Sequence, residues 1–287
     1  MTTLLAYPNV SEGRDAAVIA AVGAAFGPGL LDVHSDPDHH RSAYTLAGDP
    51  VTLPAAIIAG AVEAIARLTL DRHDGVHPRV GVLDVAPIVH LKAGQRGVAA
   101  ATALVLADGL GELGLPVFLY GALAAGRTRA QLRRGGPNEL AARIASGELR
   151  PDFGPARLHR PGGAVLVAAR PPLVAFNVEL AAGATLQDAR AIAAAIREGG
   201  SDGLPGVRAI GLWLAARGCA QVSTNVEDPG RVALADVVAA VARHGVPAEA
   251  ELVGLAPAAA LDGFPDGVPL RGVDTIEAAL ARRANTA

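Results

Sequence analysis

The chain has 287 residues, 51% of them hydrophobic and only 3% aromatic, with a formal net charge of −3. That length holds one large domain or two subdomains, with a core built mainly from Ala, Leu, Val and Ile. The weakly acidic balance excludes a general nucleic-acid binder, and the single Cys219 excludes an intramolecular disulfide or a cysteine-based zinc cluster.

The opening MTTLLAYPNVSEGRD has neither the basic n-region nor the apolar run of a signal peptide. No apolar stretch reaches membrane-span length; even VLVAARPPLVAFNV is broken by Arg170, Pro171 and Pro172. A cytoplasmic protein without membrane partners is expected. Strand-like runs fall at 3–8, 29–33, 42–48, 80–91 and 116–121. Ser11 is placed to cap a helix over RDAAVIAAVGAAF. A longer helix starts at GDPVTLPAAIIAGAVEAIARL, with Asp49 as cap, Pro50 in the first turn, and Ile58, Val62, Ile65 and Leu68 on one face. Residues 95–113 and 138–147 also read as helices.

A second cycle follows the RPP at 170–172. It runs strand 173–180, a helix opened by Thr185 with Asp188 and stopped at Gly199–Gly200, strands 207–214 and 220–226, a helix with Leu234, Val238 and Val241 inward, and strand 250–255. That order is the split βαβ, ferredoxin-like plan. After about residue 263 comes a Gly/Pro-rich tail and a short helix, TIEAALARR. The expected fold class is α/β (α+β): two ferredoxin-like-type subdomains, 1–170 and 171–287, with a ligand cleft between them.

Three stretches carry chemistry. RHDGVHPRVGVLD (72–84) concentrates ionisable groups, and Gly75 and Pro78 make it a loop feeding a strand. A histidine fixed beside proline there can transfer protons near neutral pH, with Arg79 and Asp84 to orient it or bind an anion. The plainer reading is a solvated turn. DVHSDPDHHRSAYTL (32–46) holds His34, Asp36, Asp38, His39, His40 and Arg41. With His73 and His77 these suggest a metal site, although no HExxH motif occurs and a polar loop explains them equally. PDFGPARLHRPGGAVLVAAR (151–170) has no phosphate-cradling GxxxxGK[ST] or GxGxxG. It is a glycine- and proline-shaped loop whose arginines are available to carboxylates, or simply a connector.

Read together, PNVSEGRD, DPDHHRSAYTLAG, RHDGVHPRVGVLDVAP, PVFLYG, PDFGP, LVAFNVEL, VRAIGLWL, RGCAQVSTNVED and ELVGLAP, in that order, resemble glutamate formimidoyltransferases. These include the formiminotransferase half of formimidoyltransferase–cyclodeaminase. The likeness covers about residues 4 to 262, with no cyclodeaminase half. It implies transfer of a formimino group from N-formimidoyl-L-glutamate to N5 of tetrahydrofolate in histidine degradation, with no metal, in a homodimer. The catalytic histidine implied is His77. The folate-binding stretch implied is Gly154, Pro155, Ala156, Arg157, Leu158, His159, Arg160, Pro161, Gly162 and Gly163, with Arg41, Arg79 and Arg170 as further anion partners.

The chain departs from the family pattern at three places. VLVAAR replaces T-x-x-GAR; only Gly154, Pro155 and Gly163 hold within the loop; and His40 stands where the family has asparagine, with His34 where some relatives are acidic. These departures keep open a relative with another formimino or one-carbon donor or acceptor. A metal-dependent hydrolase using His34, His40, His73 and His77, and a non-catalytic folate binder, are the readings from other classes. Asn9, Ser11 and Glu12 are candidates for lining the cleft, Asn177 and Asn225 serve either cleft or backbone, and Cys219 reads as a small buried hydrophobe.

Overall fold

The computed structural model describes residues 2–285, and the side chains of all of these except Arg72. The chain forms two compact units that divide between Pro171 and Pro172. In the first, Leu4–Ala6 (β1) and Asn9–Val10 (β2) are successive halves of one strand. Pro8 interrupts it, because proline has no N–H to give the ladder. Then come Ala16–Ala25 (α1), Leu30–Asp36 (β3), Arg41–Gly48 (β4), Thr52–Arg67 (α2), Leu83–Val89 (β5), Arg96–Glu112 (α3), Val117–Leu119 (β6), Arg129–Arg133 (α4), Gly136–Ala145 (α5) and Val165–Arg170 (β7).

The β1/β2 strand lies between β4 and β5 and is antiparallel to both, and β3 pairs the outer side of β4. Taken with α1 and α2, this is the ferredoxin-like plan; β7 and then β6 extend the sheet in parallel beyond β5. One face packs on α1, α2 and α3 through Val117, Leu119, Val165 and Val167. The alternate residues Phe118, Leu166 and Ala168 pack with Leu132 of α4 and Leu140 and Ile144 of α5.

Two details differ from expectation. Asp15, not Ser11, caps α1, accepting from the Ala17 and Val18 N–H groups. The inward face of α2 is Leu53, Ile57, Ala61 and Ala64, while Val62 is 49% exposed. The small-residue face wins because it lets the helix lie close: a Cβ at Gly60 would sit 2.2 Å from the Phe26 ring. Asp49 does hold the start of α2, accepting from the Val51 and Thr52 N–H groups.

The second unit contains Val174–Leu180 (β8), Leu186–Ile196 (α6), Val207–Leu214 (β9), Cys219–Val226 (β10), Leu234–Ala242 (α7), Pro247–Val253 (β11), Leu270–Arg271 (β12) and Ile276–Ala284 (α8). Its sheet order, β12-β11-β8-β10-β9, contains the 4-1-3-2 order of a ferredoxin-like βαββαβ. Thr185 and Asp188 form the capping box of α6. Cys219 is half-buried rather than buried, its thiol 3.6 Å from Glu179 Oε2. Among the described residues no helix is long and apolar enough to cross a membrane.

Candidate functional site

The two histidine-rich stretches of the sequence meet in the first unit. The loop before β5 is shaped by Arg79, whose guanidinium donates to the backbone carbonyls of His73, Gly75 (2.8 Å) and His77 (3.2 Å). His73 bolts that loop to the β3–β4 turn: its Nε2 lies 2.7 Å from the His40 carbonyl, and its Nδ1 accepts from the Gly75 N–H at 3.2 Å. Both bonds are made by the neutral ring protonated on Nε2. The His73 pKa is pushed down to about 4, chiefly by burial. His40 stacks on it with ring centres 4.3 Å apart, and its Nδ1 accepts from the Gly13 N–H.

At the centre is a buried carboxylate. The β2–β5 register slips between Asn9, opposite Val85, and Val10, opposite Leu83, so Asp84 is the extra residue of a bulge. A bulge re-aims a side chain that regular pairing would fix. Asp84 is 0% exposed. Its Oδ1 accepts from the Val80 N–H at 2.8 Å, and its Oδ2 accepts from Arg41 at 2.9 Å and from Arg133. Burial alone would raise this carboxyl, but Arg133, Arg41 and the Val80 N–H outweigh it and hold it below the usual range.

Arg41 joins the charge to the histidine. Its Nε donates to Asn9 Oδ1 at 2.8 Å, and its Nη1 reaches both Asp84 and His77 Nδ1, the latter at 2.8 Å. His77 Nδ1 also lies 2.8 Å from the Pro78 carbonyl, and the ring stacks loosely on His39 at 5.9 Å. Desolvation, then the charges of Arg41, Arg133 and His39, hold the His77 pKa well below 6.5. His77 is therefore a neutral imidazole at physiological pH, and its conjugate acid is a strong one.

The model of the formiminotransferase domain, N-terminal subdomain, matches residues 3–170, and that of the formiminotransferase domain matches residues 175–263. The chain belongs to the formiminotransferase family. It is 39% identical over 238 residues to formimidoyltransferase-cyclodeaminase of Sus scrofa, covering 77% of this chain but only 43% of that one. The glutamate formimidoyltransferases of Streptococcus pyogenes serotype M1 and Thermoplasma acidophilum are 35% and 33% identical, covering 88% and 91% of this chain and 89% and 90% of theirs.

Within this formiminotransferase fold the residues singled out by sequence do not form one cluster. His77, Arg41 and Arg79 are neighbours, but Arg79 spends its donors on backbone carbonyls and Arg41 on Asp84, Asn9 and His77. The 154–163 loop leads into the start of β7. His159 and Gly163 exchange backbone hydrogen bonds, the Gly162 carbonyl accepts from the Val82 N–H, and Leu158 packs into the core. Ala156, Arg157 and Arg160 are exposed, and Arg170 closes the opposite end of β7. Asn9 takes part through Arg41, whereas the Ser11 hydroxyl donates to the Gly81 carbonyl. Asn177 donates to Glu251 in the second unit. Among the described residues no group of three or more His, Cys, Asp or Glu is arranged to hold a metal ion.

Sequence reasoning missed Arg133 and Arg129, one helical turn apart on α4. The run RTRAQLRR (127–134), with the Thr128–Gln131 capping box ahead of it, was the available signal.

Proposed function

We propose that the protein transfers a formimino group from N-formimidoyl-L-glutamate to N5 of tetrahydrofolate, with His77 as the proton carrier. The observation that carries this reading is the His77 ring, pinned at Nδ1 between Arg41 and the Pro78 carbonyl with its pKa held well below 6.5. The attacking N5 must lose a proton as its bond to the amidine carbon forms. The glutamate nitrogen must gain one as its bond to the same carbon breaks. His77 does both in turn, as general base and then as general acid. One C–N bond forms, one breaks, and the proton is conserved, giving 5-formimidoyltetrahydrofolate and glutamate. A depressed pKa suits the second step, because a strong conjugate acid readily protonates a departing amine. The exposed Arg157 and Arg160 of the 154–163 loop are suited to anionic groups of the folate.

Mixing the protein with both substrates and following the 5-formimidoyl product tests the reading. Wild-type turnover that falls by about 10²–10⁴-fold in His77→Ala is the expected result. Turnover that survives the substitution removes His77 from the role. No wild-type turnover shifts the reading to a relative with another donor or acceptor. The same proposal holds that the enzyme is a cytoplasmic homodimer, which sedimentation equilibrium tests against the 28.9 kDa chain.

A further inference from the structure

The first sheet gathers more positive charge than its carboxylates neutralise. Arg41 and Arg133 share Asp84, but Arg129 and Arg170 have no ion-pair partner among the described residues. Arg170 ends β7, its guanidinium 5.5 Å from the Tyr7 ring centre and its Nη1 donating to the Pro171 carbonyl at 2.9 Å. Its Nε is buried without a hydrogen-bond partner. Tyr120, just beyond β6, is 6% exposed, and its hydroxyl is likewise buried and unpartnered. That hydroxyl faces Arg170, whose charge is disfavoured chiefly by burial and also by the neighbouring Arg129, with Tyr120 offsetting only part of this. Arg129 sits over the Tyr120 ring, 5.7 Å from its centre.

Each buried polar group left unpaired costs about 1–3 kcal/mol. Two such groups beside a second guanidinium, with no carboxylate ion-paired to them among the described residues, are the complement of a carboxylate ligand. We propose that Tyr120, Arg129 and Arg170 form a subsite for a carboxylate of a glutamyl substrate, namely that of the formimino donor. This rests on the transfer reading at His77.

The strand register gives the span. Asn9, which holds Arg41, pairs with Val85, and Arg170 pairs with Val89. Four residues are about 13 Å of strand. Arg170 reaches back over Tyr7, whose N–H bonds to the Pro87 carbonyl, so the remaining gap is about two residues, roughly 7 Å. From the nitrogen of a glutamyl donor to its distal carboxyl carbon is about 5 Å, and a hydrogen bond adds about 3 Å. The glutamyl tail of tetrahydrofolate is too remote from N5, because the aminobenzoyl group lies between them.

Steady-state kinetics of Arg170→Gln, Arg129→Gln, Arg170→Lys and Tyr120→Phe, paired with calorimetric titration of L-glutamate into each protein, test the subsite. Loss of a charge-assisted hydrogen bond predicts a roughly 10- to 100-fold rise in donor KM for the two Gln variants. Arg170→Lys recovers part of this, Tyr120→Phe loses less, and kcat and the tetrahydrofolate KM stay within about twofold. Glutamate affinity falls in parallel. N-formimidoyl-glutamine, with the distal carboxylate amidated, raises the wild-type KM but adds nothing to the defect of Arg170→Gln. Unchanged donor KM in folded variants overturns the proposal, as does a shift confined to the tetrahydrofolate KM, which assigns the carboxylate to the folate tail. Absence of wild-type turnover counts against the transfer reading alone. The glutamate titration then decides the subsite: binding lost in the Gln variants supports it, and no wild-type binding overturns it.

Discussion

Replacing Asp84 by asparagine isolates the charge at the centre of the site. Asparagine keeps the shape and an oxygen for the Val80 N–H, but sets a neutral amide where Arg41 and Arg133 now donate to one carboxylate oxygen. All three side chains are largely out of water: Asp84 is fully buried, Arg133 10% exposed and Arg41 13%. At 2.9 Å and an effective dielectric of about 20, the Arg41 pair alone contributes about 6 kcal/mol of attraction before desolvation is subtracted. Breaking a buried pair from one side typically costs about 3–5 kcal/mol, because the surviving charges are stranded. Asp84→Asn is therefore expected to lose about that much stability. Urea unfolding followed by the tyrosine signal measures it, since Tyr7, Tyr44 and Tyr120 all lie in the first unit whereas Trp213 lies in the second. Adding Arg133→Met to Asp84→Asn should recover part of the loss, because one stranded cation is removed. A loss under about 1 kcal/mol, the scale of an exposed pair, would refute the claim that this carboxylate holds the two arginines.

Three further outcomes are expected. The pH profile of kcat/KM should stay flat through neutrality, with an acid limb well below 6.5, since burial and Arg41 lower the pKa of the folded His77; a limb at or above 6.5 would refute that lowering. His73, with a folded pKa of about 4, and His40, also lowered, bind protons more readily when unfolded. Their contribution to stability is thus complete above about pH 6.5 and is lost as pH falls toward 4, and His73→Gln should flatten the dependence of the urea midpoint on pH across that window. Gly163→Ala should destabilise by at least about 2 kcal/mol, because φ is +76° and the new Cβ would lie 2.2 Å from the Val80 carbonyl oxygen; a change under 0.5 kcal/mol, as at an ordinary surface site, would contradict it.

The periodic parts of the fold were legible because they depend on local pattern alone. The β9 strand begins and ends where alternation places it, and Thr185 with Asp188 marks the start of α6. Charged residues between strands marked the site, because a chain this apolar places ionisable groups in quantity only where they are paired or used. Which of them pair was not legible. Nothing local to Asp84 shows that a register slip turns it toward Arg41, which lies forty-three positions earlier, or toward Arg133, forty-nine later. The face of α2 was legible only in part for a related reason: Ile58, Ile65 and Leu68 do pack against the core, but Val62 is exposed, and close approach to Phe26 puts alanine and glycine at the most buried positions.

The contacts at His77 Nδ1 tie these electrostatics to the proposed reaction. One nitrogen cannot accept from Arg41 and donate to the Pro78 carbonyl at once, so the neutral ring has two states. With the proton on Nε2 it accepts from Arg41 and offers no base outward. With the proton on Nδ1 it bonds to Pro78 and exposes the Nε2 lone pair, as proton abstraction requires. The imidazolium that follows keeps the Pro78 bond and faces the Arg41 charge. Arg41 therefore opposes protonation, while the Pro78 carbonyl orients the ring in both the base and the acid state. Asp84 accepts from the same Arg41 nitrogen that reaches His77, so on the proposed mechanism a buried carboxylate that need not touch substrate bears on His77 through Arg41.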